Sequence, residues 1–320
     1  MIIQIVLLLV GLALIVFGAD WLVDGASAIA RKVGISEFVI GLTIVGFGTS
    51  CPELVVSLTG AIAGNADVSI GNVVGSNIFN TLLILGLTAL VMPIGITQEN
   101  KRRDIPVTLL ITFLLIALGM GKVFVGASET DGLSRVEGIV FLILFAAYMF
   151  MCFKFDKGSD ESDDDTRKIS SIWLAVLLVA AGLCGLIFGG KMFVNSATAI
   201  AKMLGVSDKF IAITVLAGGT SLPELATCVV AAAKKKGQLA LGNILGSNVF
   251  NILLILGSSA VVTPLSFAGM DVVDMIVLFG SAVLVWMSSY TFKKDRIDRY
   301  EGAIFLLCFI GYYVYLFSKL

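Results

Sequence analysis

Long apolar stretches joined by short polar connections dominate the pattern of the chain. A helix crosses the hydrocarbon core of a bilayer with about 20 apolar residues. Continuous rather than alternating runs favour helices over the strands of a β-barrel. We therefore expect an all-α integral membrane protein. Its ten predicted spans are residues 2–23, 38–62, 69–96, 105–121, 137–153, 170–194, 209–233, 239–262, 272–291 and 300–318.

Composition agrees with this interpretation and excludes several other classes of protein. Hydrophobic residues make up 58% of the 320 residues and charged residues only 14%, whereas soluble domains carry about 25% charged residues. A net charge of −1 lacks the basic excess that is typical of nucleic-acid-binding proteins. The five cysteines form no CxxC pair and there is no histidine, so disulfides and zinc sites are not expected.

Lysine and arginine are distributed unevenly between alternate connections. One set of connections carries 16 of the 22 basic residues, including residues 31–32, 101–103 and 234–236. Basic loops face the cytoplasm, so both termini are predicted to lie outside. Residues 154–169 form the one sizeable hydrophilic connection, and we interpret this acidic segment as a cytoplasmic linker. It does not match the EF-hand pattern of a calcium sensor.

An internal repeat appears when the sequence is shifted by 171 residues. Residues 41–86 and 212–257 match at 20 of 46 positions, including GTSxPEL, GN and GSNxFN in register. Because the copies start five spans apart, and five is odd, the second crosses the membrane in the opposite direction. This arrangement is typical of secondary transporters. It predicts two inverted five-helix repeats, residues 1–153 and 170–320, on either side of the linker.

The repeated motifs place one carboxylate in the middle of a span in each half. Glu53 follows Pro52, and Glu224 follows Pro223. Proline interrupts helical hydrogen bonding, and an intramembrane carboxylate is costly and usually marks an ion path. No lysine or arginine lies deep in the spans of either repeat (Lys191 is near a span end). The acids therefore need a cation from outside.

Helical spacing adds neutral oxygen ligands to the two acids. Thr49 lies four residues before Glu53, and Ser76 lies four before Asn80, so each pair shares a helix face. Thr220 with Glu224 and Ser247 with Asn251 repeat this pattern. An all-oxygen cage suits Ca²⁺ and also Na⁺. Without histidine or a positioned thiolate, zinc, copper and iron are poor candidates.

The motif GTSxPE followed by GNxxGSNxFN, present twice, resembles the alpha repeats of the sodium/calcium exchangers in the cation/calcium antiporter superfamily, especially the short prokaryotic members. The resemblance implies a ten-helix exchanger that uses alternating access, in a prokaryotic plasma membrane, moving Ca²⁺ against about three Na⁺. It also implies backbone-carbonyl ligands near Gly46 and Ala217. The implied side-chain ligands are Thr49, Ser50, Glu53, Ser76, Asn80, Thr220, Ser221, Glu224, Ser247 and Asn251.

Several alternatives remain at this stage. Proton-coupled Ca²⁺ antiport is the closest, whereas Asn251, which stands where potassium-dependent members carry aspartate, disfavours K⁺ co-transport. An intramembrane serine protease would need a histidine or lysine base near its serine, and the chain has no histidine. A channel usually builds its pore around a symmetry axis, whereas a single inverted pair of repeats fits a carrier better. Asp20 and Asp24 form a DxxxD pair, interpreted as solvation at a span end. We expect no enzymatic activity, cofactor or obligate protein partner; the partners are inorganic cations and the lipid bilayer.

Overall fold

The computed structural model describes residues 1–121, 131–156, 158, 169, 171–205, 217–267, 269–291 and 295–319. The described chain is almost entirely helical, as the hydropathy pattern predicts. A short helical segment, Ala217–Gly219, precedes α8. The main helices are α1 (Ile2–Val33), α2 (Glu37–Thr49), α3 (Cys51–Ile62), α4 (Ala66–Val91), α5 (Ile105–Gly119), α6 (Arg135–Lys154), α7 (Ile172–Met203), α8 (Leu222–Ala233), α9 (Gly237–Val262), α10 (Val272–Ser288) and α11 (Arg299–Ser318).

Within the described ranges, six helices are long and apolar enough to cross a membrane alone: α1, α4, α6, α7, α9 and α11. The pair α2 and α3 makes a seventh span if it is counted as one helix bent by 49°. The predicted spans 105–121, 209–233 and 272–291 correspond to the shorter helices α5, α8 and α10. Residues 209–216 of the second of these lie outside the described residues. Helices α1 and α7 continue well past their predicted ends.

Local chemistry explains several helix ends. Helix α1 ends where Gly34 adopts a left-handed conformation with φ of 75°, which glycine accepts without steric cost. Ser36 begins α2, because its hydroxyl accepts the Val39 N–H at 3.2 Å. Capping boxes, in which the first and fourth residues bond reciprocally, begin α6, α10 and α11.

Helices α4 and α9 form the centre of the molecule. In the most apolar window of each, 72% of α4 and 94% of α9 is buried, against 17–28% in α1, α6, α7 and α11. The outer helices therefore present apolar side chains to the surroundings, as a bilayer requires. The central helices carry the GSNxFN motifs, which places these motifs at the core of the bundle.

Helices α1 and α7 pack backbone to backbone through glycine. A Cβ atom added at Gly11, Gly18, Gly182 or Gly189 would lie 2.7–2.8 Å from a backbone atom of the other helix. Small residues allow such an approach. Membrane helices rely on this close packing because lipid tails are as apolar as the side chains, so the hydrophobic effect does not drive helices together. The two helices equivalent in the repeat are thus held together as a pair.

One end of the bundle, here called the lysine face, carries residues 234–236 and the loops that contact them. Lys236 forms an ion pair with Glu37 at 3.1 Å, and Gln238 donates to the carbonyl of Gly95. The strand β1 (Ile94–Gly95) pairs there with β4 (Arg296–Ile297) in an antiparallel ladder. Asp156, in the acidic connection, accepts the Ser36 N–H at 2.8 Å.

The opposite face has its own ladder, in which β2 (Gly132–Leu133) pairs with β3 (Leu265–Ser266). Helix α9 separates the two ladders, since it begins beside the lysine face at Gly237 and ends at Val262. Lys319 and Tyr315 both bond Asp271 at the start of α10, which places the end of α11 on this face. The loops named above therefore lie at two opposite ends of the bundle.

Candidate functional site

Two helix breaks at equivalent positions create the site. The backbone leaves helical geometry at Ser50, with φ −83° and ψ 5°, and at Ser221, with φ −89° and ψ 6°. A proline in the first turn of the next helix follows each break. Glu53 and Glu224 consequently lie in the first turns of α3 and α8. The unpaired N–H groups of a helix start favour negative charge there.

The two acids are bonded by the opposite repeat. The hydroxyl of Ser50 donates to Glu224 Oε1 at 3.1 Å. The hydroxyl of Ser221 donates to Glu53 Oε1 at 3.3 Å. Both carboxylates are 1% exposed, so the interior of the protein shields them from water. Neither half of the chain alone can build this arrangement.

Most of the buried polar side-chain atoms that have no hydrogen-bond partner belong to the predicted ligand set. Among the described residues, eleven have a buried side-chain polar atom with no partner, and seven of these belong to that set. A buried oxygen left without a partner costs free energy, so such groups call for an explanation. The seven atoms are Glu53 Oε2, Glu224 Oε2, Ser76 Oγ, Ser247 Oγ, Asn80 Oδ1, Asn251 Oδ1 and Thr220 Oγ1.

The remaining predicted ligands differ from this pattern. The Thr49 hydroxyl, unlike that of Thr220, is engaged with Val45 O and Asn243 Oδ1, both at 3.1 Å. The Gly46 carbonyl already accepts the Ser50 N–H at 3.1 Å and also lies 3.4 Å from the Thr49 hydroxyl. Ala217 opens the short helical segment at the edge of the described residues. The three positions are near the break but are not equally available.

Asn77 and Asn248 belong to the site, although helical spacing alone did not select them. Asn77 Oδ1 accepts from Asn251 Nδ2 at 2.9 Å, and Asn248 Oδ1 accepts from Asn80 Nδ2 at 3.2 Å. Each of these bonds is donated by the side-chain Nδ2 of Asn80 or Asn251, whose Oδ1 atoms have no hydrogen-bond partner. The sequence signal was present, because both residues stand in register within the repeated GSN motif.

Two π-helical segments carry the proposed ligands Asn80 and Asn251. They span Phe79–Ile84 in α4 and Phe250–Leu256 in α9. A π-helix adds a residue to the turn and often occurs at functional sites. The four-residue spacing of an ideal α-helix therefore describes Ser76 and Asn80 only approximately, since Asn80 already lies in the wider turn.

A second layer of amides supports the acids. Asn72 Nδ2 donates to the Glu53 carbonyl at 3.2 Å and to Ser57 Oγ at 3.0 Å. Its equivalent, Asn243, donates to Cys228 Sγ at 3.2 Å. The bonds differ in detail, but both join the GN motif to the helix that bears the acid.

The residues present can therefore hold a hard cation with oxygen atoms alone. The described residues contain no group of three or more His, Cys, Asp and Glu placed to hold a metal ion. Two carboxylates and several neutral hydroxyl and amide oxygens make up the available donors instead. Such donors suit Ca²⁺ and Na⁺ better than transition metals.

Comparison with known proteins agrees with the geometry. The family model described as sodium/calcium exchanger protein matches residues 3–154 and 174–318. Relatives include the putative antiporter CaxA of Alkalimonas amylolytica, 38% identical over 100% of both chains. The sodium/calcium exchanger MaX1 of Methanosarcina acetivorans is 32% identical over 98% of this chain and 99% of that protein.

A solved structure matches over nearly the same extent. The sodium-calcium exchanger NCX_Mj soaked with zero Na⁺ and Ca²⁺ has a TM-score of 0.85 and 34% sequence identity, covering 98% of this chain and 99% of that chain. The match spans both copies of the repeated motif and the helices around them. The chain belongs to the sodium/calcium exchanger family and is a cation/Ca²⁺ antiporter of the membrane.

Proposed function

We propose that the protein exchanges Ca²⁺ for Na⁺ by alternating access at one site near the middle of the membrane. The observation that carries the proposal is that seven buried oxygens without a hydrogen-bond partner, from both halves of the chain, belong to the repeated motifs. The ligands we propose are Thr49, Ser50, Glu53, Ser76, Asn80, Thr220, Ser221, Glu224, Ser247 and Asn251, with the carbonyls of Gly46 and Ala217.

The charge of the site supports a divalent cation. Glu53 and Glu224 supply a charge of −2 when ionised, which neutralises one Ca²⁺. Ca²⁺ takes about 6–8 oxygen ligands, many of them neutral, and the unpartnered hydroxyl and amide oxygens provide these. Na⁺ accepts the same kinds of oxygen, so the two ions can compete for one set of ligands. Competition of this kind is what an exchanger requires.

Access to the site differs between the two faces. A cavity of about 600 Å³ is lined by Cys51, Pro52, Asn72, Lys191 and Thr220, among others. It reaches Thr220, one of the proposed ligands. The cavity therefore brings one side of the site close to the surface at Thr220, whereas the equivalent Thr49 on the other side is fully buried. Alternating access then consists of exchanging the two arrangements.

We also propose the ten-helix topology, with inverted repeats 1–153 and 170–320 joined by the linker 154–169. The bent pair α2 and α3 counts as one span, and α5, α8 and α10 contribute to three more. The lysine face then lies in the cytoplasm, because basic loops remain there, and both termini lie outside. The proposed location is the plasma membrane of a prokaryote. No obligate protein partner is needed for the exchange.

Transport by purified protein in vesicles tests the proposal. Radioactive Ca²⁺ uptake should be driven by an imposed Na⁺ gradient and should saturate. A K⁺ gradient of equal size should drive none. If a pH gradient drives strong uptake without Na⁺, the protein is instead a proton-coupled antiporter. If Ca²⁺ flux needs no counter-ion on the opposite side, the protein is a channel and the carrier mechanism is wrong.

A further inference from the structure

One ion cluster lies outside the proposed cation site and joins α8 to α1. The ammonium group of Lys234 lies 2.6 Å from Asp20 Oδ1 and 2.6 Å from Asp24 Oδ1. It also donates to the Asp20 carbonyl at 3.2 Å. Asp20 and Asp24 are four residues apart on one face of α1. The DxxxD pair therefore holds a positive charge supplied by this chain.

The cluster has no counterpart in the other copy of the repeat. The 171-residue shift pairs Asp20 with Lys191 and Asp24 with Asn195. It pairs Lys234 with Ala63. The equivalent helices α7 and α3 therefore have no such ion pair between them. The two copies share the motif but differ in this contact.

The position without the ion cluster is open. Lys191 and Asn195 are both exposed and line the cavity of about 600 Å³, which separates α7 from α3. Cys51 and Asn72 also line this cavity and are half-buried. Thr220, at its inner end, is half-buried as well.

The equivalent position on the lysine face is closed. Thr49 and Asn243, the counterparts of Thr220 and Asn72, are both 0% exposed. Val23, the counterpart of the half-buried cavity residue Val194, is 1% exposed. Asp20 and Asp24 lie on the same helix as Val23 and form ion pairs with Lys234. The ion cluster thus crosses the position at which the symmetric cavity would open.

We infer that Lys234, Asp20 and Asp24 form an ionic latch that holds the lysine face closed. Opening a route to the acids on that face separates α1 from α8, as α7 is separated from α3 on the other. This separation removes the Lys234 ammonium from both carboxylates. The side chains of Lys234 and Asp24 are only 24% and 12% exposed, so water screens this contact less than it screens a surface ion pair.

The inference rests on the alternating access of the proposed function, but its test uses neither Na⁺, Ca²⁺ nor transport. Two single-cysteine proteins report the two faces. One retains only Cys51, which lines the open cavity. The other carries Leu222→Cys, at the equivalent position beside α1, with the five native cysteines replaced. The rate of maleimide labelling in detergent measures how accessible each thiol is.

With the latch intact, the thiol at position 51 should react much faster than the thiol introduced at position 222. Lys234→Ala should raise the rate at position 222 by at least about fivefold, the population shift expected for a coupling of this class. It should lower the rate at position 51. The double variant Asp20→Asn/Asp24→Asn should act in the same direction, which keeps the test valid if one variant folds poorly.

Lys235→Gly is the matched control. Lys235 is the exposed neighbour of Lys234, and its φ of 59° resembles the 73° of its counterpart Gly64. Its replacement removes the same charge without strain, and both labelling rates should stay unchanged. The latch is refuted if position 222 stays within twofold of the parent in both latch variants. It is equally refuted if both thiols speed up together, or if Lys235→Gly reproduces the effect. Failed Na⁺-driven uptake with a positive labelling result would count against the proposed function alone.

Discussion

Replacing either central acid with its amide should strongly weaken the apparent affinity for Ca²⁺ in transport without unfolding the protein. Glu53→Gln retains the size of the side chain and an oxygen that can accept the Ser221 hydroxyl, now bonded at 3.3 Å. The amide nitrogen then takes the place of Oε2, the atom that has no partner. A donor therefore points to where a cation needs an acceptor. Glu224→Gln makes the same change from the other repeat, beside Ser50.

The expected magnitude follows from the burial of the carboxylates. Each is 1% exposed, so little water can replace the lost charge. Removing one partner of a buried charge contact costs about 2–5 kcal/mol, and each 1.4 kcal/mol is about tenfold in affinity. The Ca²⁺ concentration at half-maximal uptake should thus rise at least about 30-fold. Folding should be unaffected, because an unpaired buried acid is itself unfavourable.

Na⁺-driven uptake of radioactive Ca²⁺ into vesicles, over a range of Ca²⁺ concentrations, measures this effect. Glu137→Gln is the control, since it makes the same substitution at a half-buried residue in the capping box of α6 and should transport normally. Thermal unfolding in detergent verifies that each variant is folded. If either central variant keeps a half-maximal concentration within threefold of the parent protein, that acid is not a ligand.

Three further predictions concern packing, the amide network and topology. Gly189→Ala places a Cβ 2.8 Å from the Gly11 carbonyl oxygen and should cost about 1–3 kcal/mol of stability. The control Gly190→Ala meets open space, so only Gly189→Ala should lower the melting temperature. Asn248→Ala removes the acceptor of Asn80 Nδ2 and should cost about 1–3 kcal/mol, read as a lower melting temperature. In cysteine-free protein, Lys235→Cys should react with impermeant maleimide only from the cytoplasm and Asn65→Cys only from outside; the reverse result would invert the topology.

Much of the fold could be predicted because apolar length and the repeat are strong signals. The bilayer fixes how long a span must be, and identical motifs 171 residues apart fix which residues are equivalent. Helix ends were less predictable. Helix α1 runs to Val33 rather than residue 23, because hydropathy reports where lipid ends and not where helical hydrogen bonding ends. The glycine after it, Gly34, was the better signal.

The candidate site could be predicted in part. Glu53 and Glu224 stood out because a charge within an apolar span demands an explanation. The partners Asn77 and Asn248 did not, since the argument from spacing selected only residues four apart from Ser76 and Ser247 on one helix face. The π-helical turns change which side chains face the neighbouring helix, and periodicity of 3.6 residues does not reveal them. The bonds between the halves also depend on tertiary packing, which no local pattern encodes.

The relation between the two copies explains how one sequence can be both symmetric and directional. Each acid is bonded by a serine of the other half, so the site needs both copies of the motif in register. The same requirement does not extend to the ends of the helices. There, residues 63–65 of one copy align in sequence with residues 234–236 of the other. Charge at these ends can differ without disturbing the ligands. In the alternating access that we propose, a symmetric centre with unequal faces allows one route to be closed while the other is open, and the proposed latch makes the difference in sequence determine which route that is.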